Sequence, residues 1–140
     1  MRINRLISKY NWSSREGSKI EWIVIHYVGA LGGAEDNCSY YAGGDRKASA
    51  HYYVGFRGEV WQSVEDDHAA WSVGVDYGGK LFSVCKNKNS INIEMCVRKK
   101  NTRSLNAGDS DWYFEDATVA SCVELTKMLM EKYSISADHV

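Results

Sequence analysis

Four histidines, four cysteines and one awkwardly placed glutamate are the residues of this chain whose chemistry could do more than hold a fold together. His26 stands near the end of the apolar run Ile23-Val24-Ile25-His26-Tyr27-Val28. β-Branched and aromatic neighbours predict a strand buried on both faces, with the imidazole held rigidly at the strand's exit, where a catalytic metal ligand would sit. A core histidine hydrogen-bonded to backbone fits the same pattern. Glu94 lies in Ser90-Ile91-Asn92-Ile93-Glu94-Met95-Cys96-Val97, where alternation sends Ile91, Ile93, Met95 and Val97 to one face and Asn92, Glu94 and Cys96 to the other. A carboxylate there is costly unless it is paired, hydrogen-bonded or left at a wet pocket. Burial would lift its pKa towards the range of a general base; the other reading is an edge-strand ion pair with Arg98 or Lys99.

The remaining candidates are weaker. His51, in Ser49-Ala50-His51-Tyr52-Tyr53-Val54, could orient a ligand or a group behind it, or be a satisfied structural histidine. His68 follows Asp66-Asp67 and reads as solvated. The acidic cluster Glu65-Asp66-Asp67 matches no calcium-loop spacing and reads as a solvated face. Cys38, Cys85, Cys96 and Cys122 are far apart, without zinc-finger spacing, and read as reduced, mostly buried thiols.

The elements that must position these groups fit a single domain over residues 1–140. A net charge of -1 gives no field to steer a polyanion, so nucleic acid is not expected as a partner. No run has the length of a membrane span, and residues 1–12 lack the apolar core of a secretory signal, so synthesis in the cytoplasm is expected. Nine Tyr and five Trp suit a groove that grips sugars or peptides, although strands consume aromatics too.

Residues 1–19 read as a helical or irregular lead with a polar turn, and residues 20–28 as the first strong strand. A short helix is expected over Asn37 to Ala42, and a hairpin from Ser49–Phe56 through Arg57-Gly58 into Glu59–Val64. Residues 65–89 read as a functional loop region, and Lys99 to Asp111 as polar and exposed. An amphipathic helix is expected from about Asp116 to Lys132, with Val119, Cys122, Val123, Leu129, Met130 and Tyr133 on one face. This order predicts an α/β fold: a mixed central sheet with helices packed on its faces.

Four segments carry a resemblance: Ile23-Val24-Ile25-His26-Tyr27; Ser49 to Val54 through Gly58-Glu59-Val60-Trp61-Gln62; Ala70-Trp71-Ser72-Val73-Gly74; and Ser90-Ile91-Asn92-Ile93-Glu94-Met95. In order and approximate spacing the chain resembles the type 2 N-acetylmuramoyl-L-alanine amidases, which include phage lysozyme-amidases, autolysins and peptidoglycan-recognition proteins. The resemblance covers roughly residues 18–140. It implies a zinc hydrolase that cuts the amide between the lactyl group of N-acetylmuramic acid and L-alanine of the stem peptide. Such enzymes hold zinc by two His and one Cys or Asp, leaving a position for water, and a carboxylate moves the proton. His26 matches the first zinc ligand and Glu94 the general base, and Trp71 and His51 are carried over as substrate-binding positions. The implied partner is cell-wall peptidoglycan or its muropeptides, met by a monomer; as an endolysin the protein would act on the wall.

Two departures stand out. Where the family commonly has Ala-Trp-His, this chain has Ala70-Trp71-Ser72, which alters a groove contact. Members also close with a His-x-Asp-Val…Lys-x-Cys-Pro segment carrying the second and third ligands and a carbonyl-polarising lysine; this chain ends Ile135-Ser136-Ala137-Asp138-His139-Val140 and contains no proline. By register the ligand histidine is expected just beyond Val140, with His139 its neighbour. Two expectations follow: an amidase whose last segment lies outside these residues, or a metal-free module on the same fold that binds muropeptides without cutting them.

Overall fold

A computed structural model describes residues 1–74 and 77–140. Its centre is a five-stranded sheet in the order β1-β5-β4-β7-β3, formed by β1 (Ile3–Arg5), β3 (Trp22–Tyr27), β4 (Tyr52–Val54), β5 (Val60–Gln62) and β7 (Ser90–Met95). β4 and β5 make the expected antiparallel hairpin, and the pairs β1/β5, β4/β7 and β7/β3 are parallel. The hairpin turns where the Gly58 N–H donates to Gly55 O at 3.0 Å, with Gly58 in the left-handed region at φ +79°. β3 and β4 flank β7 and both run parallel to it, so the chain must cross over between them, and helix α1 (Ala34–Ala42) lies in that connection. The mixed sheet with helices on its faces is the architecture expected from the sequence.

The period of two in β7 sorts the molecule into two interiors. Ile91, Ile93 and Met95 join Ile23, Tyr52, Val54 and Val60 beneath Cys122, Leu125 and Leu129 of helix α2 (Asp116–Tyr133). On the opposite face Tyr53 and Cys96 pack with Ala34 and Cys38 of α1. All four cysteines are free thiols.

Several local expectations are corrected. β3 is an edge strand, and Ile25 and Tyr27 are 43% and 45% exposed rather than buried on both faces. The lead of the chain is extended, forming β1 and the short strand β2 (Trp12–Ser14), which pairs antiparallel with β6 (His68–Ala70). The predicted short helix begins earlier, at Ala34. The buried stripe of α2 is Thr118, Cys122, Leu125, Thr126 and Leu129, while Val119 and Val123 face outward. Thr118 belongs inside because its hydroxyl donates to Gly55 O at 2.9 Å, removing the cost of its polar atom. Finally, Lys99 is enclosed rather than exposed, ion-paired with Asp109 and Asp111 beside the small antiparallel pair β8 (Arg98–Lys99) and β9 (Trp112–Tyr113).

Candidate active site

One lateral row of residues crosses the sheet near the carboxyl ends of its parallel strands. In register, His26 of β3 lies beside Glu94 of β7, Glu94 beside Tyr53 of β4, and Tyr53 beside Trp61 of β5. In-register neighbours share a face, so His26, Glu94 and Tyr53 project to the α1 side. The open end of the parallel strands is where sheets of this kind bind ligands.

Glu94 is unpaired. Its Oε2 is buried without a hydrogen-bond partner, and desolvation pushes the carboxyl up to about 7. The ion pair considered from sequence does not form, because Arg98 bonds Glu115 and Lys99 bonds Asp109 and Asp111. Around it, burial first and then the charge of Glu94 raise the phenol of Tyr41, while burial, Tyr41 and Glu94 in turn raise that of Tyr53. Cys38 and Cys96 are pushed up to about 12, chiefly by burial, so both thiols stay protonated. Of these carboxyl, phenol and thiol groups, the carboxyl is therefore the one poised to exchange a proton near neutrality.

His26 is half-buried, and its Nε2 lies 2.9 Å from Asn92 Oδ1. Asn92 is fully buried, and its side-chain amide donates to Ser90 Oγ at 3.0 Å. Behind it stands His51. The Asn92 N–H donates to His51 Nδ1 at 3.0 Å, the His51 N–H donates to Asn92 O at 3.0 Å, and His51 Nε2 donates to His68 O at 2.9 Å. With that proton directed at His68 O, the Arg15 Nη2 located 3.0 Å from the same Nε2 is a packing contact rather than a hydrogen bond. Arg15 instead donates to the carbonyls of Asp66, Lys88 and Ser90 at 2.7 to 2.9 Å. Burial lowers His51 to about 4, so its ring is neutral.

These bonds redistribute the expected roles. His51 is 0% exposed, so the substrate contact expected of it gives way to a structural one, clamping the backbone of β7. Trp71 is tied to the other end of the sheet. Its N–H donates to Ser49 Oγ at 2.9 Å and its indole to Ser13 Oγ at 3.2 Å. Ser49 lies before β4 begins at Tyr52, so Trp71 is held at the entry of that strand and not at its carboxyl end. His68, read as solvated, belongs to β6 with its ring stacked on Trp12 at 3.9 Å. Asp66, read as a solvated acid, is largely enclosed and accepts from Tyr52, Tyr133, Lys132 and Gln62. The sequence reading assigned no role to Asn92 or Arg15. The alternation of β7 could have flagged Asn92, which it places beside Glu94; nothing in the polar turn around Arg15 announced its partners.

For zinc, the donor set decides. His26 is one nitrogen donor, and among the described residues no group of three His, Cys, Asp or Glu converges. His139 stacks on Trp22 at 3.9 Å, and its Nδ1 donates to Glu21 O at 2.9 Å. Trp22 precedes His26 by four residues on β3, about 13 Å at strand spacing, so His139 is remote from His26. The described residues therefore do not complete a zinc site.

The family described as N-acetylmuramoyl-L-alanine amidase matches residues 16–140. The chain belongs to this amidase family. Among solved structures, the chain is similar to a mutant endolysin from Bacillus subtilis, with 25% identity and a TM-score of 0.70 over 100% of this chain and 82% of that one. The catalytic domain of XlyA has 24% identity and a TM-score of 0.70, with the same coverage. The N-acetylmuramyl-L-alanine amidase AmiD from E. coli, in complex with anhydro-N-acetylmuramic acid-L-Ala-D-gamma-Glu-L-Lys, has 24% identity and a TM-score of 0.60 over 93% of this chain and 55% of that one. No curated protein matches. No helix among the described residues is long and apolar enough to cross a membrane. Among the described residues of this amidase-family chain, Glu94 is the carboxylate with a buried, unpartnered oxygen, and it lies beside a histidine at the open end of the sheet.

Proposed function

We propose that this amidase hydrolyses the bond between the lactyl carbonyl of N-acetylmuramic acid and the first L-alanine of the peptide stem in bacterial peptidoglycan, with Glu94 as general base and then general acid. The observation that carries the reading is the buried Glu94 Oε2 without a partner, in the same row as His26. Ionised Glu94 takes a proton from the attacking water; protonated, it returns that proton to the departing amine. A carboxyl near 7 serves both steps, since neither form is far from neutrality. The muropeptide held by the E. coli amidase supports this substrate class.

Zinc would be the metal of such an enzyme. The family resemblance calls for it, and His26 would be one of its donors. Glu94 acts here without a metal, because the described residues gather no group of three donors around His26. That same observation favours a second reading, a module that binds muropeptides without cutting them. Pure binding, however, leaves the desolvated carboxylate of Glu94 without a use.

One experiment separates the two. Purified peptidoglycan is incubated with the protein, with and without added zinc, and new L-alanine amino termini are counted beside bound zinc. Release of amino termini, reduced in Glu94→Gln, is expected. Binding of muropeptide with no release at any zinc concentration would replace the amidase reading with the second.

A further inference from the structure

Asn92 is fully buried, yet its side-chain hydrogen bonds run in one direction. The Ser90 hydroxyl donates to Lys86 O at 2.7 Å, which leaves Ser90 Oγ to accept from the Asn92 amide at 3.0 Å. With its NH2 aimed at Ser90, Asn92 turns its Oδ1 to His26 Nε2 at 2.9 Å. An amide oxygen only accepts, so Nε2 of the imidazole carries the hydrogen and Nδ1 keeps its lone pair. The backbone beneath is fixed too, since His51 holds both the N–H and the carbonyl of Asn92.

We propose that Asn92 is a positioning residue that sets the tautomer of His26, so that Nδ1 is the nitrogen presented to the site. The chain Lys86 O, Ser90, Asn92, His26 passes this orientation from the loop before β7 to the end of β3. His51, far from being a groove residue, is the clamp at its base. A free imidazole exchanges between two neutral tautomers, and a histidine in a working site is useful in only one. The use of that lone pair in catalysis rests on the amidase reading; the tautomer itself does not.

Long-range proton–nitrogen NMR at pH 8 tests it, with His26 assigned by comparison with His26→Gln. In the unaltered protein Nε2 should give the protonated signal and Nδ1 the bare one. Asn92→Leu, which cannot accept, should move His26 towards a mixture of tautomers. Asn92→Asp, which can only accept, should keep the hydrogen on Nε2. Ser90→Ala is the milder variant should Asn92→Leu fail to fold: it frees the amide to flip and should likewise mix the tautomers. In the amidase assay Ser90→Ala and Asn92→Leu should lower kcat roughly 10- to 100-fold with KM little changed, the usual size for a partner behind a working histidine. A hydrogen on Nδ1 in the unaltered protein, or an unchanged tautomer in folded Ser90→Ala and Asn92→Leu, overturns the assignment of Asn92. A tautomer shift in a protein that releases no peptide leaves Asn92 in place and removes the amidase reading instead.

Discussion

Two largely enclosed carboxylates, Glu94 on β7 and Asp66 in the loop after β5, are treated in opposite ways. Asp66 accepts from Tyr52 at 2.6 Å, Tyr133 at 2.5 Å, Lys132 at 2.9 Å and Gln62 at 3.2 Å, tying β4, β5 and α2 together. Burial pushes its carboxyl up, but the bonds from Tyr133, Tyr52 and Lys132, with the Lys132 charge, outweigh that and hold it below its ordinary value. Glu94 has the burial without the donors, and its carboxyl rises to about 7. The contrast separates a carboxylate that holds a fold together from one available to a reaction. Desolvation alone identifies neither; the presence or absence of donors does.

The largest effect that could break this contrast is Asp66→Ala. It strands two phenols, an amide and an ammonium, and should destabilise the fold by about 3–5 kcal/mol in urea unfolding. A loss below about 1 kcal/mol would show that the network contributes little. Because the carboxyl is depressed in the folded state, its contribution is present above the ordinary aspartate range and is lost as pH falls through the lower folded value.

Next comes turnover. Glu94→Gln should lower amide hydrolysis by about two or more orders of magnitude, the scale of general acid–base catalysis; equal rates in both proteins remove Glu94 from the mechanism. The same variant should be more stable than the parent by about 1–3 kcal/mol at pH 8, because the charge it removes is desolvated. The sign follows from a folded value of about 7 above the ordinary 4.5: stability falls as pH rises from 4.5 through 7, so the gain should vanish near pH 4. Matched unfolding curves at the two pH values check this. Smallest is Lys132→Met. Its side chain is 56% exposed, so the ion pair with Asp66 should be worth less than about 1 kcal/mol.

What was legible in the sequence was whatever repeats with a strand or helix period. Glu94 and Asn92 fell on the correct face because β7 alternates strictly through Ile91, Ile93 and Met95. The run at β3 marked a strand, but a continuous apolar run does not distinguish an edge from a centre, and Ile25 and Tyr27 turned out exposed. Helix α2 was legible while its phase was not, because its inward stripe includes Thr118 and Thr126. β1 and β2, three residues each, are made by partners more than 50 positions away, which no local propensity reports. The same holds for the site's supports: Arg15, His51 and Asp66 act through bonds to distant carbonyls and side chains, so type alone announced nothing for Arg15, a substrate-facing role for His51 and a solvated one for Asp66.

Carbon NMR of the labelled side chains, titrated from pH 3 to pH 9, tests the central claim most directly, because both carboxyls report in one experiment. Glu94 should titrate near 7 and Asp66 below its ordinary 3.8. A Glu94 midpoint at or below 4.5 would contradict the account, since the carboxylate would then be solvated or paired and no longer poised to move a proton at neutral pH.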